Sequence, residues 1–391
     1  MAIQTQTKQR IRLGIITSTY FPNLNGVAIS LKMLVEELKT HGIEVFVVAP
    51  NIKNFTYPEY VKSISSFPIP KRIDADMKIP YNFTHAALVY FKKKNINILH
   101  SNDPLSGFTG ITIAKKLNIP HVHTYHTHWE LYKFNKYTKY FGYKKIIRVI
   151  INRLCNQVEV VIAPTTKIES YLKEIGVKTK IQTIINIPNI KHLYKSKKDS
   201  ELMQRFNIKQ NDFVFITFGR VSSEKSIDKS IKYLSPLLTQ YSNIKYVISG
   251  AGSAIKQLKD YAVKLGVGDK ICFTGKYMPD ELNRLASLGD VFLFTSNFDT
   301  QALTLLEAAS TGLPIISIKD DCVDYILKDG ENGFICDEKD LTKMCKKLYL
   351  NKKLQNKFSK SSLSKSKKLS EQKITQEYIK LYYKYLNLHD H

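Results

Sequence analysis

The stretch Val291-Phe-Leu-Phe-Thr-Ser-Asn-Phe-Asp-Thr-Gln-Ala-Leu-Thr-Leu-Leu-Glu-Ala-Ala-Ser-Thr-Gly-Leu-Pro314 decides how this chain is built. Val291 to Ser296 is a short apolar run, typical of a strand buried in a parallel sheet. Leu303 to Ser310 has helical spacing that stops at Thr311-Gly312. A loop between such a strand and helix presents backbone N–H groups at a helix N-terminus, where a phosphate is favoured. Asp299 in the loop and Glu307 inside the helix stand eight residues apart across that junction.

The same strand–loop–helix unit recurs outward in both directions. Arg12 to Thr17 is an apolar strand running into Tyr20-Phe-Pro-Asn-Leu-Asn-Gly26, followed by helical spacing over Val27 to Leu38 and a second buried strand at Val45 to Ala49. This is the start of a doubly wound α/β domain. Further strands are expected at 96–100, 121–124 and 158–163. After the polar stretch Lys191 to Asp212 a second series begins, with strands at Phe213 to Phe218, Ile244 to Ser249 and Lys270 to Thr274. The expectation is therefore two domains, residues 1–195 and 196–370, with a cleft between them. A final helix over about residues 371–388 is a candidate to pack back onto the first domain.

The 391 residues suit two cores, and a hydrophobic content of 43% is enough to fill them. No run reaches the roughly 20 apolar residues a membrane-spanning helix needs, and the polar start lacks a signal-peptide apolar stretch, so a cytoplasmic chain is expected. The five cysteines form no CxxC pair and suggest neither zinc nor a disulfide framework. The formal charge of +25 concentrates anions such as nucleic acid, anionic lipid or nucleotide phosphates. Only eight of the 59 basic residues are Arg, which counts against nucleic-acid readout by bidentate contacts.

Several groups carry chemistry. Arg220 and Lys225, five apart directly after a strand, can converge on a pyrophosphate and stabilise its leaving charge. The Gly26 loop and the Gly250-Ala-Gly252 loop each follow a strand, where glycine either lets a phosphate approach or merely makes a tight turn. Glu307 can bind ribose hydroxyls as an acid does in dinucleotide folds. His123, His126 and His128, with Trp129, cluster after a first-domain strand. Their spacing does not match a helical HExxH pair, which favours a hydrogen-bonding sugar or acceptor pocket over zinc. Between Lys133 and Arg153 stand seven basic residues and no acid, interleaved with aromatics. Read as a helix from about Gly142, Ile147, Ile150, Ile151 and Leu154 share one face, and Lys144, Lys145 and Arg148 another. That composition suits either an interfacial membrane helix or an ordinary amphipathic core helix.

Taken together, these residues resemble the retaining glycosyltransferases of family four, from Ile11 to about Tyr385. Thr124-Tyr-His-Thr127 with Glu130, Arg153-Leu-Cys-Asn156 and Ile162-Ala-Pro-Thr165 are similar to the acceptor-domain signature of bacterial diacylglycerol α-glucosyltransferases. The resemblance implies a GT-B fold of two Rossmann-like domains, the first binding acceptor and membrane, the second a nucleotide-diphosphate sugar. It gives Arg220 and Lys225 the donor pyrophosphate, Asp299 the sugar hydroxyls, and Glu307 the ribose. Thr300, Gln301, Ala302 and Leu303, with Gly250 and Gly252, fall to donor binding, and Gly26 would let its loop approach the donor phosphates. His126 would lie by the transferred sugar. Trp129, Glu130, Lys144, Lys145 and Arg148 would meet acceptor and membrane. No metal site and no essential cofactor is implied, although magnesium stimulates some relatives.

The chain departs from the family in four places. Asp299 replaces its usual Glu and Ala302 its usual Gly, the latter acceptable only at negative φ. Leu131 stands where relatives often carry an acid, and Ile187-Pro-Asn-Ile190 lacks the customary glycine. The expected activity is transfer of glucose from UDP-glucose to diacylglycerol at the inner face of the plasma membrane. A soluble member acting on a polysaccharide, protein or small molecule is the alternative, and a basic nucleic-acid-binding protein the remote one.

Overall fold

The computed structural model describes residues 10–23, 25–68, 78–80, 82–127, 129–131 and 142–389. The chain forms two compact units, Met1–Ile187 with Glu371–His391, and Pro188–Ser370. The division falls before residue 195 because Ile190, Leu193, Leu202, Met203 and Ile208 are buried in the second unit's core. The polar stretch before β10 is thus tied down by its few apolar residues.

In unit 1 the strands are β1 Arg12–Ile16, β2 Glu44–Pro50, β3 Val61–Ile64, β6 Ile98–Ser101, β7 His121–Thr124, β8 Val160–Ala163 and β9 Ile181–Thr183. They form one sheet in the order β3-β2-β1-β6-β7-β8-β9, every pair parallel. A separate antiparallel pair joins β4 Ser66–Pro68 to β5 Lys78–Pro80. The last helix, Glu371–His389, returns to this unit. Its residues Ile374, Tyr378, Leu381, Tyr382 and Tyr385 recur at helical spacing and are buried against β1, β2 and β6 to β8.

Unit 2 holds β10 Phe213–Phe218, β11 Ile244–Ser249, β12 Ile271–Gly275, β13 Val291–Phe294, β14 Ile315–Ile318 and β15 Gly333–Cys336. Their order is β12-β11-β10-β13-β14-β15, again all parallel. Strand β10 shows why its sequence is a continuous apolar run: Val214, Ile216 and Phe218 enter one cluster, and Phe213 and Phe215 the other. Alternate side chains point to opposite faces, and both faces are covered.

Each sheet reverses its strand order once, between β1 and β6 in unit 1 and between β10 and β13 in unit 2. Loops leaving the carboxyl ends on either side of such a point diverge and leave a crevice for a ligand.

Candidate active site

The reversal in unit 2 brings together the loops after β10 and β13. After β10 the chain passes Gly219 and Arg220 into a short 3-10 turn, Ser223–Lys225. Two hydroxyls at the end of β13 hold that turn: Thr295 Oγ1 donates to the Ser226 carbonyl at 2.9 Å and Ser296 Oγ to the Glu224 carbonyl at 3.4 Å. Lys225 Nζ then donates to Asp299 Oδ1 at 2.5 Å, with side-chain exposures of 23% and 13%. Arg220 is more than half exposed, its Nε 3.7 Å from Glu224 Oε1. Glu224, which spacing gave no reason to single out, also accepts from Ser222 Oγ at 2.5 Å.

Gly250 and Gly252 shape this loop from behind. A Cβ on Gly250 would lie 1.8 Å from the Gly219 carbonyl oxygen, and one on Gly252 2.0 Å from that of Val221. The approach is fixed by Val221 N–H donating to the Ala251 carbonyl at 2.9 Å and Ala254 N–H to the Val221 carbonyl at 3.1 Å. Their glycine requirement is therefore met by protein backbone.

The loop after β13 feeds the helix Leu303–Ser310. Its N-cap is Ala302, at φ −84° and ψ 87°, so the methyl group there meets no left-handed backbone strain. No side chain caps this end and no acid occupies its first turn. Leu305 N–H turns back on the Ala302 carbonyl at 2.9 Å, whereas the N–H groups of Leu303 and Thr304 precede any carbonyl of their own helix that could accept them, which suits them to an anion. Thr304 lies against the Arg220 loop, since a Cβ on Gly219 would stand 3.2 Å from its methyl carbon. Tyr325 buttresses the junction, its hydroxyl donating to the Ala302 carbonyl at 2.8 Å and bonding with the buried Gln301 side chain. At the far end Gly312, at φ +78°, lets its own N–H reach the Ala309 carbonyl and that of Leu313 reach Ala308. This paired closure ends the helix where the sequence said it would.

Glu307 lies on this helix near Tyr277 and Tyr325, both of whose hydroxyl pKa values are raised, first by burial and also by its charge. Burial pushes the Glu307 carboxyl up to about 7. The acid read from sequence as a ribose-binding group is thus half-buried, and its carboxyl holds its proton more tightly than an ordinary glutamate.

In unit 1, Gly26 is the exposed first residue of the helix Gly26–Thr40. Asn25 caps it, accepting from Ala28 N–H at 2.9 Å while its amide donates to Thr19 Oγ1 at 3.0 Å. His126, beyond the end of β7, donates from Nε2 to Asn102 Oδ1 at 3.1 Å. Burial lowers its pKa to about 4, against a hydrogen bond with Asn186 that works the other way. His123 is separated from it: fully buried inside the sheet, its Nδ1 lies 2.8 Å from Ser101 Oγ. The expected His128, and the aromatic and basic residues of 132–141, lie outside the described residues.

Glu130 and Arg148, both expected to meet acceptor or membrane, meet each other. Arg148 donates from Nε at 2.6 Å and Nη2 at 3.3 Å, and Tyr171 adds its hydroxyl at 2.9 Å. Trp129 is partly buried, and its carbonyl accepts from Tyr143 OH at 3.2 Å. On the helix Tyr143–Cys155, Ile151, Leu154 and Cys155 are buried, while Ile146, Val149 and Ile150 are 60%, 49% and 37% exposed beside the exposed Lys144 and Lys145. The expected shared face therefore splits: Ile151 and Leu154 turn inward, and Ile150 joins an outward apolar stripe.

Two doubly wound parallel domains in tandem, the second with strand order 3-2-1-4-5-6, form the GT-B architecture of glycosyltransferases. The chain overlays on sucrose-phosphate synthase from Thermosynechococcus elongatus with a TM-score of 0.80, covering 95% of this chain and 98% of that one at 17% identity. Anabaena HepE in complex with UDP-glucose gives 0.73, covering 94% and 98% at 16% identity. Residues 24–188 match the model of Glycosyltransferase Family 4, and residues 198–365 that of Glycosyl transferases group 1. Alpha-monoglucosyldiacylglycerol synthase of Acholeplasma laidlawii is 30% identical over 83% of this chain and 84% of its own length. Its namesake in Streptococcus pneumoniae is 28% identical over 82% and 74%. The chain belongs to the family-four glycosyltransferases, and it is a glycosyltransferase of the GT-B type.

Proposed function

We propose that this glycosyltransferase moves glucose from UDP-glucose to the 3-hydroxyl of diacylglycerol, with retention, at an anionic membrane surface. The observation that carries the donor half is the Lys225–Asp299 bond beside an uncapped helix N-terminus at the strand reversal of unit 2. Lys225 and Arg220, with the N–H groups of Gln301, Ala302 and Leu303, neutralise the pyrophosphate. Thr300 lines the same loop, and Asp299 orients Lys225 while accepting from sugar hydroxyls. Glu307 accepts from the ribose hydroxyls.

In the reaction the bond from sugar C1 to the β-phosphate oxygen breaks, and a bond from C1 to the acceptor oxygen forms on the same face. The acceptor's hydroxyl proton passes to the departing diphosphate, so no protein nucleophile is needed. Fixed donors aimed at the developing phosphate charge supply the stabilisation, because they need no reorganisation as the bond breaks. In unit 1, His126 is a neutral imidazole at physiological pH and so serves a hydroxyl by hydrogen bonding.

The acceptor half is supported by the two bacterial relatives, which are named as glucosyldiacylglycerol synthases. A membrane surface is supported by the outward stripe Ile146, Val149 and Ile150 beside Lys144 and Lys145, and by the formal charge of +25. Among the described residues no helix is long and apolar enough to cross a membrane. A screen of nucleotide sugars against diacylglycerol, oligosaccharide and polyol acceptors, read by mass spectrometry, tests the proposal. A hexosyl-diacylglycerol from UDP-glucose supports it, and product only on a water-soluble acceptor refutes it.

A further inference from the structure

Strands β6 and β7 are joined at their carboxyl ends by two rungs. Within the sheet, His100 Nε2 lies 2.7 Å from Thr124 Oγ1, and just beyond it His126 Nε2 lies 3.1 Å from Asn102 Oδ1. Asn102 follows His100 by two residues, as His126 follows Thr124, so the outer rung inherits its position from the inner one. The inner rung is completed from the other end of the chain. Tyr382, on the helix Glu371–His389, places its hydroxyl 2.8 Å from His100 Nδ1. Tyr382, His100 and Thr124 are all fully buried, and the rings of Tyr378 and Tyr382 lie 6.2 Å and 5.9 Å from that of His100.

We infer that Tyr382 is a positioning residue for His126, acting through the buried relay Tyr382–His100–Thr124. Burial holds His100 neutral and Tyr382 protonated, so one ring nitrogen donates and the other accepts. In the relay the phenol donates to Nδ1 and the imidazole proton sits on Nε2, aimed at Thr124. Without that hydroxyl His100 is free to carry its proton on Nδ1. The bond to Thr124 must then reverse its direction or break, which alters one of the ties that hold the segment Thr124-Tyr125-His126 beside β6. The last helix thus reports its docking to the residue expected to serve a substrate hydroxyl. The kinetic part of this inference rests on the glycosyltransfer proposed above; the positional part does not.

The test uses the full chain labelled with ¹⁵N-histidine, its His100 and His126 signals identified by their loss in His100→Gln and His126→Asn. In the unsubstituted protein His100 must show its proton on Nε2; a proton on Nδ1 overturns the relay at once. Tyr382→Phe keeps the ring and removes only the hydroxyl. It should shift the ring-nitrogen signals of His126 and move its acid titration, and Thr124→Val should do the same from the other end. In turnover, Tyr382→Phe should lower kcat about tenfold while KM for the nucleotide sugar stays within twofold. His126 signals unchanged in either folded variant, or a fall in melting temperature with unchanged kcat, contradicts the inference. If the unsubstituted protein transfers no sugar, the proposed reaction fails while the spectra still decide the relay.

Discussion

Lys225 Nζ lies 2.5 Å from Asp299 Oδ1, and this bond ties the turn after β10 to the loop after β13 where the strand order of unit 2 reverses. Both side chains are largely shielded, so the pair is more than a surface contact. A surface ion pair contributes little, whereas a shielded lysine already fixed in place would meet the proposed pyrophosphate without further ordering.

Lys225→Met should therefore weaken UDP binding by roughly 10- to 150-fold, the equivalent of about 1.5–3 kcal/mol for a hydrogen bond to a charged group. Titration calorimetry measures it. Affinity within twofold of the unsubstituted protein would place the pyrophosphate elsewhere.

Glu307 gives a pH signature. Its folded carboxyl, raised by burial to about 7, binds a proton more tightly than in the unfolded chain. Its contribution to stability is thus fully present below about pH 4.3, the ordinary glutamate value, and is lost as pH rises through 7. In the proposed donor site ribose hydroxyls donate to the ionised form, so UDP binding should tighten from pH 6 to 8 and release a fraction of a proton near pH 7. Calorimetry in buffers of different ionisation enthalpy counts that proton, and Glu307→Gln should abolish its release.

Four histidines in and just beyond β6 and β7 work in the opposite sense. Burial lowers His121 to about 3 and His126 to about 4, with His100 and His123 also well below the ordinary value. The unfolded chain binds those protons first, so the stability they lend is present above about pH 6.5 and lost as pH falls toward 4. Thermal unfolding of unit 1, followed by histidine signals, should fall steeply below about pH 6, with less loss in His121→Gln.

Lys144 and Lys145 flank the outward stripe and carry no ion pair among the described residues. Replacing both by Gln should weaken binding to anionic vesicles about fivefold per lysine, near 1 kcal/mol each. The difference should shrink as salt rises. Vesicle sedimentation at two ionic strengths decides this.

The strands that carry the site were legible because buried parallel strands are continuous apolar runs: 213–218, 244–249 and 121–124 read from sequence are β10, β11 and β7. The strands β3 and β9 were not, being short edge segments with mixed exposure. The start of unit 2 was hidden because a few apolar anchors, Ile190 and Leu193 among them, sit in an otherwise polar stretch.

At the site, spacing marked Arg220, Lys225, Asp299 and Glu307 but said nothing of their contacts. It could not pair Glu130 with Arg148, or show that Ser101 takes up His123, because both bonds depend on the packing of distant segments. Ala302 shows the converse. Sequence posed the condition of a negative φ, and only the backbone, at −84°, met it.

The most direct test mixes the purified protein with UDP-glucose and vesicles of anionic phospholipid containing diacylglycerol, then examines the extracted lipid by proton NMR. The expected result is a single new glycolipid with an α-linked glucose on the 3-hydroxyl of diacylglycerol. A β-linked product, or no glycolipid while sugar reaches a water-soluble acceptor, would contradict retaining transfer to a membrane lipid.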